Sequence, residues 1–478
     1  MKIGFMCDLH LPFDKNALQY DVLEWAVSDI LKNRPDCVCF AGDATCDGNA
    51  EVYEGFIEKM KGIGIPFIYV PGNSDLRNAE SRDRIAANAS PLKNAVGGIT
   101  VYAINDCGGS VSEGCLAELE SAGAGDVVFM HHPPRSLAAW RLTHPDTAVF
   151  YGHLHRSEIS GKDISLQALD PDKAIGECPC ISYYNTESGV TEKAYFNCPV
   201  PDDMYPCFGI SCYDPIAQTE FAVEKGLKYL ELRPNCISAD RESLKALIEK
   251  WRECGGVGLS VHLPDVGWWG GELHEKNYDE VVMLASELGA DRVTQHVPLA
   301  SVGDIRRKPT VLEEICGYIA ERLNAIEKDI TVGVENMHMT AKESPDDRRR
   351  FGYTPEECEE FMERLSAVCR HHVGINLDIG HARNNAPYSQ KYQIGTWYSM
   401  LGKHIVGYHV HQVKPQKGGY ENHMPIDEVY GHLISYASLF GCWAGGKINK
   451  APVIFEMRPE NAYEITLATF ERMKESKK

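Results

Sequence analysis

The second half of the chain repeats one pattern eight times, and this repetition limits the folds open to it. Each repeat starts with a short apolar run rich in β-branched residues, and a longer stretch follows, in places with helical spacing of apolar residues, as in Ser243–Cys254. The runs are Phe208–Cys212, Tyr229–Leu232, Gly258–His262, Arg292–His296, Thr331–Glu335, Gly374–Asp378, Val406–His411 and Val453–Glu456. Eight strand–helix units in about 270 residues predict a (β/α)8 barrel.

The first half also alternates strands and helices, but with a different rhythm. Its predicted strands are Lys2–Cys7, Cys37–Ala41 and Phe67–Val70, and its predicted helices are near Ala17–Lys32 and Glu51–Ile63. From Ile99 onward the strands shorten and turns become frequent, which predicts a second sheet. Three prolines within residues 199–206 predict a linker. We therefore expect two α/β domains, residues 1–203 and 204–478.

Composition narrows the functional class. The 478 residues are 44% hydrophobic and 24% charged, which is typical of a folded globular protein. Acidic residues outnumber basic ones 68 to 48, and the net charge of −20 disfavours non-specific attraction to nucleic acid or to an anionic membrane. No apolar run approaches the roughly 20 residues of a membrane span, and the N-terminus has no signal-like apolar segment. We expect a cytoplasmic protein with no membrane partner and reduced cysteines.

Five short polar clusters follow predicted strands of the first half. They are Asp8-Leu9-His10, Gly42-Asp43, Gly72-Asn73-Ser74-Asp75, His131-His132-Pro133-Pro134 and Gly152-His153-Leu154-His155. Open α/β sheets bind ligands at the carboxyl ends of their strands. Carboxylate, imidazole and amide groups gathered there suit two adjacent divalent metals, either manganese, iron or zinc. The Asp43 carboxylate is placed to bridge the two metals.

In this order and spacing, the clusters resemble the calcineurin-like metallophosphoesterases over roughly residues 1–200. The resemblance implies an α/β/β/α sandwich that hydrolyses a phosphomonoester or phosphodiester, with a hydroxide shared between two metals attacking phosphorus. It also implies two ligand sets that share Asp43 as bridge and catalytic residue. One set is Asp8, His10, Asp43 and His155, and the other is Asp43, Asn73, His131 and His153. The family pattern places the ligand two residues before proline, so His131 is chosen over His132.

One position departs from that family. Many members carry a histidine directly after the asparagine, where it protonates the leaving group, but this chain has Ser74 there. The departure implies a leaving group of low pKa, or water as the proton donor. It also leaves open a domain that binds its ligand without catalysis.

The predicted barrel strands end in a second set of polar side chains. The chemistry of a (β/α)8 barrel collects at the carboxyl ends of its strands. The residues found there are His262, His296, Glu335, Asp378 with His381, His411 and Glu456. Three carboxylates at the mouths of separate strands require cations, because unpaired burial costs several kcal/mol each.

Residues 207–478 resemble the xylose isomerase-like barrels, which include sugar and sugar phosphate isomerases and epimerases and the endonuclease IV type of DNA-repair enzyme. The first subgroup implies one metal, manganese or zinc, and proton exchange at carbon by two glutamates. Its set is Glu335, Asp378, His411 and Glu456, with Glu335 and Glu456 catalytic. The endonuclease subgroup implies up to three zinc ions and phosphodiester cleavage, and its larger set adds His262, His296, His381 and His423, with Glu421 where aspartate is usual.

These two resemblances leave the barrel reaction open. A bifunctional enzyme is expected, a phosphoesterase joined to a sugar or sugar phosphate isomerase. The alternatives are an endonuclease IV-like zinc phosphodiesterase acting on nucleic acid, and a chain in which one domain is a non-catalytic binding module. His409, two residues before His411, faces the same way but deeper, and we interpret it as a packed core histidine.

Cationic residues fall in the predicted loops at the barrel mouth. They include Arg306, Arg307, Arg348, Arg349 and Arg383, followed by Lys414 and Lys417, and Arg233 and Arg458 follow the second and eighth strands. Arginine forks bind phosphate groups, so we predict a phosphorylated small-molecule substrate, with nucleic acid as the less favoured partner. Trp268, in the loop after His262, is predicted either to stack on a sugar or a base or to form a hydrophobic lid.

Overall fold

The structure is a computed structural model that describes residues 1–107, 110–123, 125–340, 342–416, 419–431, 433–459 and 461–475. The chain forms two compact units. The first comprises Met1–Pro199 with Glu428–Gly441, and the second comprises Val200–Asp427 with Cys442–Lys478. Inside the first unit, the later segment is tied to the earlier one by polar bonds such as Tyr430 Oη to the Cys198 carbonyl, 3.0 Å.

The first unit contains two β-sheets and flanking helices. Its strands are β1 (Lys2–Met6), β2 (Cys37–Ala41), β3 (Phe67–Val70), β4 (Lys93–Val96), β5 (Ile99–Ile104), β6 (Val127–Met130), β7 (Ala148–Tyr151), β8 (Glu158–Ser160), β9 (Asp163–Ser165), β10 (Cys180–Asn185) and β11 (Thr191–Tyr195). Its helices are α1 (Leu18–Asn33), α2 (Ala50–Gly62), α3 (Arg82–Ala86), α4 (Glu113–Leu119) and α5 (Ala138–Arg141). The sheet orders are β11-β10-β1-β2-β3 and β4-β5-β6-β7-β9-β8.

Alternation along the strands explains the layers. Phe5 and Cys39 point into the core between the two sheets, whereas Phe40 packs with α1 and α2 on the opposite face. The outer face of the second sheet, including Val128, packs with Trp140 of α5. Each fully buried side chain of this size contributes about 1.5–3 kcal/mol. The result is the predicted α/β/β/α sandwich.

The second unit is built on eight parallel strands. From residue 200 onward the strands are β12 (Phe208–Cys212), β13 (Tyr229–Leu232), β14 (Gly258–His262), β15 (Gly267–Trp269), β16 (Glu272–His274), β17 (Arg292–His296), β18 (Thr331–Glu335), β19 (His372–Asp378), β20 (Ile405–Val410), β21 (Gln412–Gln416), β22 (Gly419–Met424) and β23 (Val453–Phe455). The closed barrel has the order β12-β13-β14-β17-β18-β19-β20-β23, which confirms the predicted fold.

Helices follow most barrel strands, and the remaining strands form two hairpins, β15-β16 and β21-β22. The helices are α6 (Pro215–Lys225), α7 (Arg241–Glu253), α8 (Tyr278–Glu287), α9 (Val302–Arg307), α10 (Thr310–Leu323), α11 (Pro355–Ser366), α12 (Ile379–Arg383), α13 (Tyr388–Lys391), α14 (Ile394–Leu401), α15 (Ala437–Ala444) and α16 (Ala462–Glu475). Barrel closure depends on β23, since Val453 pairs with both Phe208 and Tyr408. Within the described ranges, no helix is long and apolar enough to cross a lipid bilayer.

Two candidate metal centres

The first centre lies where the strands of both sheets in the first unit end. Its side chains follow β1, β2 and β3 of one sheet and β6 and β7 of the other. The seven residues are Asp8, His10, Asp43, Asn73, His131, His153 and His155. The structure therefore brings together every ligand that the sequence predicted for this domain.

One group of side chains in this centre surrounds the Asp8 carboxylate. Asp8 Oδ1 lies 3.6 Å from His155 Nε2 and 4.0 Å from His10 Nε2. His10 Nε2 is also 3.7 Å from Asp43 Oδ2. One potential ligand atom from each of these four residues lies within 4.8 Å of the others, which is the spacing expected around a single cation.

A second group shares Asp43 with the first. Asn73 Oδ1 lies 3.0 Å from His131 Nε2 and 2.9 Å from His153 Nδ1. His131 Nε2 is 3.5 Å from Asp43 Oδ2, the oxygen that also faces His10. A carboxylate that faces both groups is the arrangement that a bridging ligand requires.

Surrounding hydrogen bonds orient the ligands. His131 Nδ1 donates to the Ala41 carbonyl at 2.8 Å, which leaves Nε2 free to face the centre. The buried Asp75 carboxylate accepts backbone N–H bonds from Thr45 and Gly72, so it holds two ligand loops together. Gly72 allows Asp43 to approach, because a Cβ at that position would lie 2.1 Å from Asp43 Oδ1.

The backbone of this centre is strained. Five of the seven ligands have a positive φ, although none is glycine: Asp8 51°, His10 47°, Asp43 60°, His153 69° and His155 58°. Such left-handed conformations cost about 1–3 kcal/mol each and cluster at functional sites. These conformations lower the stability of the fold, and they direct the side chains toward common points.

The pKa values of the first centre are set by burial and by neighbouring charges. Burial raises the pKa of Asp8 to about 7. Burial also lowers the pKa of both His10 and His155 well below the usual value, with Lys173 adding to the effect. For Asp43, burial is outweighed by His131 and by hydrogen bonds from Ser74, so its pKa is lowered. Neutral imidazoles and an anionic bridge are the forms that bind metal.

Ser74, at the position of the family's usual histidine, supports Asp43. Its hydroxyl donates to Asp43 Oδ2 at 2.9 Å and its backbone N–H donates to Oδ1 at 2.7 Å. The side chain is fully buried. Ser74 therefore positions the bridging carboxylate and does not face a substrate.

The second centre fills the carboxyl end of the barrel. Four strands finish in a candidate ligand, and the others follow β20 and β23 or lie on α12 and β22. The residues are His262, His296, Glu335, Asp378, His381, His411, His423 and Glu456. All are buried except the half-buried His296. The structure again brings together the complete predicted set.

Glu335 is central in this centre. Its carboxylate oxygens lie 3.3 Å from His262 Nε2 and 3.6 Å from His296 Nε2. His381 Nδ1 is 3.6 Å from both Glu335 and Asp378. Three groups of potential ligands result: His262, His296 and Glu335; Glu335, Asp378, His409 and Glu456; and His381, His411 and His423. Gly380 makes room here, since a Cβ would lie 2.0 Å from His411 Cε1.

His409 is buried, as the sequence indicated, but its contacts are with the carboxylates of the centre. Nε2 lies 2.9 Å from Glu231, and Nδ1 lies 3.1 Å from Glu335 and 2.8 Å from Glu456. Although burial opposes the charged form, these three carboxylates raise the pKa of His409 well above its usual value.

Sequence reasoning missed Glu231. This buried carboxylate on β13 accepts hydrogen bonds from Ser260 and Thr294 as well as contacting His409. Its only signal was a carboxylate inside the apolar run Tyr229–Leu232. Arg233, two residues on, lies 2.6 Å from Glu456.

The predicted substrate-binding arginines are mostly paired with nearby carboxylates. Arg306 pairs with Asp347 (3.0 Å), Arg307 with Asp304 (2.7 Å), Arg348 with Asp346 (2.7 Å) and Arg349 with both oxygens of Glu357 (2.9 and 2.5 Å). Arg383 is half-buried on α12. Lys414 pairs with Asp427, and Lys417 lies outside the described residues. Trp268 is 6% exposed, with the Lys308 amino group 4.8 Å from its ring.

A cavity of about 470 Å³ opens beside the second centre. Its lining includes His262, His296, Lys276 and Arg233, the cation that follows the second barrel strand. Asp265 also lines it and accepts a 2.6 Å bond from His296 Nδ1, which orients that ring. The cavity is large enough for a small phosphorylated molecule.

Comparison with known families agrees with both geometries. A family model of the xylose isomerase-like TIM barrel matches residues 219–474, more than half of the chain. The chain belongs to this family. A family model of calcineurin-like phosphoesterases matches residues 1–157. Both resemblances drawn from the motifs are confirmed.

Individual relatives match parts of the chain. A probable glycerophosphodiester phosphodiesterase of Arcobacter nitrofigilis is 46% identical over 54 residues, 11% of this chain and 19% of that protein. A probable cyclic nucleotide phosphodiesterase of Xenorhabdus bovienii is 25% identical over 157 residues, 28% of this chain and 63% of the relative. The chain thus spans less than two thirds of either relative. A xylose isomerase domain protein of Alicyclobacillus acidocaldarius aligns with 57% of this chain and 97% of its own, at 17% identity and a TM-score of 0.40.

Proposed function

We propose that the first unit hydrolyses phosphoesters with two divalent metals, drawn from manganese, iron or zinc. The observation that carries the proposal is Asp43 Oδ2, which faces His10 on one side and His131 on the other. Asp8, His10, Asp43 and His155 would hold one cation, and Asp43, Asn73, His131 and His153 the other. The residues fit such ions, since Asp8 Oδ1 is buried and accepts no hydrogen bond from the described residues.

The chain's residues have distinct tasks in this proposal. When bound, the two cations supply a water-derived nucleophile and offset the charge of the phosphoryl group. Asp43 holds the two ligand groups at a fixed separation, and Ser74 fixes the Asp43 carboxylate through both of its oxygens. Asp75 keeps the loops after β2 and β3 in register.

For the barrel we propose a multinuclear centre of two or three metals, with zinc favoured, acting on a phosphodiester. His381, His411 and His423 form a group of their own, and a single-metal isomerase set has no use for two of these histidines. Imidazole-rich sites suit zinc. Phosphodiester hydrolysis commonly uses clustered metals that stabilise both the attacking and the leaving oxygen.

Isomerisation or epimerisation of a sugar phosphate is the second candidate for the barrel. One group contains Glu335, Asp378 and Glu456 together, which matches the carboxylates of the single-metal set. In that reaction Glu335 and Glu456 would exchange protons with the substrate carbon.

We propose a small phosphorylated molecule as the substrate of both centres. The names of the two phosphodiesterase relatives support this class, as does the cavity lined by Arg233 and Lys276. Nucleic acid is the less favoured class, since the net charge of −20 opposes attraction to a polyanion.

Metal analysis combined with two variants tests these assignments. Asp43→Asn should lower hydrolysis of bis-p-nitrophenyl phosphate by at least about 100-fold and reduce bound metal by one or two ions per chain. Glu335→Gln should remove barrel metals and spare that activity. Exposed acids provide matched controls, Asp83→Asn and Glu321→Gln.

Three outcomes decide between the functions. Activity that survived Asp43→Asn in a chain that also carries Glu335→Gln, where the barrel centre is disabled, would contradict the dinuclear assignment. One metal lost on Glu335→Gln, together with sugar phosphate isomerisation by the wild type, would favour the second candidate. Incision of an abasic duplex that depends on Glu335 would favour the nucleic acid alternative.

A further inference from the structure

A second cavity, of about 340 Å³, lies beside the first centre and has no role in the function proposed above. It is lined by His153, a candidate ligand, and by side chains that are not predicted ligands, including His132, Arg135 and Ser136. Its position next to a ligand places any molecule within it close to the phosphoryl group that the centre would bind.

His132 is held in one orientation. Its Nδ1 lies 3.1 Å from Asp106 Oδ2, and Asp106 also accepts the backbone N–H groups of His131 and His132 at 3.1 and 3.0 Å. The Asp106 side chain is only 4% exposed, and these three hydrogen bonds satisfy its buried carboxylate. Nδ1 therefore donates to Asp106, and Nε2 is left as an acceptor with no hydrogen bond to the described residues.

The lining of the cavity also offers donors. Arg135 is exposed and forms no ion pair with the parts of the chain that the structure describes, unlike Arg306, Arg307, Arg348 and Arg349. Ser136, next in sequence, adds a hydroxyl that can donate or accept. A fixed acceptor and a guanidinium donor in one lining complement a hydroxyl group, which is both donor and acceptor.

We propose that this cavity is the alcohol subsite of the phosphoesterase centre, and that it takes the hydroxyl-bearing alcohol portion of a small phosphodiester, such as a glycerol or ribose moiety. This inference rests on the proposed phosphoesterase function. The volume accommodates a group of that size, and the lining offers both hydrogen-bond donors and acceptors to its hydroxyl groups. His132 Nε2 accepts from a substrate hydroxyl, and Arg135 donates to an adjacent oxygen.

The test compares a hydroxylated with an aryl substrate on the full chain loaded with metal. Glycerophosphoethanolamine and 3′,5′-cyclic AMP serve as the hydroxylated probes, and bis-p-nitrophenyl phosphate serves as the aryl probe. Arg135→Met should lower kcat/KM for a hydroxylated probe by about 10- to 100-fold, and His132→Asn by about 3- to 10-fold, as expected for lost charged and neutral hydrogen bonds. The aryl probe should change less than about threefold.

Two controls separate this role from a structural one. His144→Asn and Arg84→Met alter a histidine and an arginine that do not line the cavity, and neither should shift the ratio between substrates. Arg135→Lys, which keeps a cation, should restore part of the preference. Metal content is measured for every variant, because His132 lies with His131 and His153 in a group that could hold an ion.

Several outcomes would overturn the proposal. An equal loss on both substrate types, or metal lost with His132→Asn, would make His132 part of the centre. If both variants left the ratio of kcat/KM between hydroxylated and aryl probes unchanged, the cavity would not bind a substrate hydroxyl. A wild type that hydrolyses only the aryl probe would lead to the same conclusion. A wild type with no metal-dependent activity on any probe would instead contradict the proposed function itself.

Discussion

The two centres hold similar ligands by different means. In the first, five of seven ligands sit on turns with positive φ, whereas among the eight candidates of the second only His423 does. Four ligands of the second centre are the last residues of barrel strands and keep extended geometry. In a barrel, the ends of eight strands surround one axis, so the side chains at those ends meet without backbone strain. The edge of a sandwich offers no such axis, and its loops must bend to gather ligands.

This comparison predicts that a methyl group added to the backbone beside one centre disrupts that centre and leaves the other intact. Gly72→Ala places a methyl group against Asp43, and Gly380→Ala places one against His411. We expect Gly72→Ala to lower phosphoesterase activity by about 100- to 1,000-fold, since ligand displacement of this order is severe. Barrel metals should remain bound.

Gly380→Ala should show the converse, with barrel metals lost and phosphoesterase activity kept. Metal content and hydrolysis of bis-p-nitrophenyl phosphate are measured on both variants, with Gly55→Ala, a glycine with open space around it, as control. Loss of both functions in either variant would mean that the centres are not independent.

Glu231→Gln tests a second difference between the centres, namely which residues hold the candidate ligands in place. The barrel centre depends on a buried carboxylate behind His409, whereas the first centre relies on Ser74 and Asp75. Weakening a supporting group typically lowers metal affinity about 10- to 100-fold. Competition titration with a metal indicator should show this loss in the barrel alone. Unchanged affinity would limit Glu231 to a packing role.

The pH dependence of metal uptake should also differ. Below pH 7 Asp8 is protonated in the metal-free first centre, because its pKa is about 7, and a metal must displace that proton. Affinity at the Asp8 group should therefore rise about tenfold per pH unit up to about pH 7, where Asp8 loses its proton.

In the barrel, burial lowers the pKa of His296, but Glu335 and Asp265 outweigh it and raise the pKa to about 10. Uptake there should keep rising above pH 7. Titrations at pH 6 to 9 on Glu335→Gln and Asp43→Asn, each retaining one centre, check both slopes. Identical profiles would contradict the assignment.

The smallest effect is expected at the exposed arginines of the barrel. Arg306 and Arg348 each pair with a neighbouring aspartate, so a substrate phosphate competes with a bond already made. We expect Arg306→Gln to raise KM for the barrel substrate by about twofold. Arg233→Gln, within the cavity, should raise it more. The reverse order would place the phosphate group at the outer loops.

Much of the architecture could be predicted from the sequence because short runs of residues specify the strands and helices. Alternation of apolar residues in runs such as Cys37–Ala41 predicts both the strand and the two faces it covers. The candidate ligands His262, Glu335 and Asp378 could be predicted because the last residues of barrel strands lie at the barrel mouth, independently of the other segments of the chain. Signals of this kind need no knowledge of distant residues.

The amino-acid sequence alone determined the two folds and both sets of candidate ligands, since spacing and side-chain chemistry specify them within short segments. Only the tertiary structure decided which groups those ligands meet: that Ser74 holds Asp43, that Glu231 lies behind His409, that Asp106 orients His132, and that the arginines pair with aspartates. The partners in these four cited contacts are 26 to 178 residues apart in the chain and meet through packing. No local pattern encodes a contact whose energy arises from burying two distant groups together.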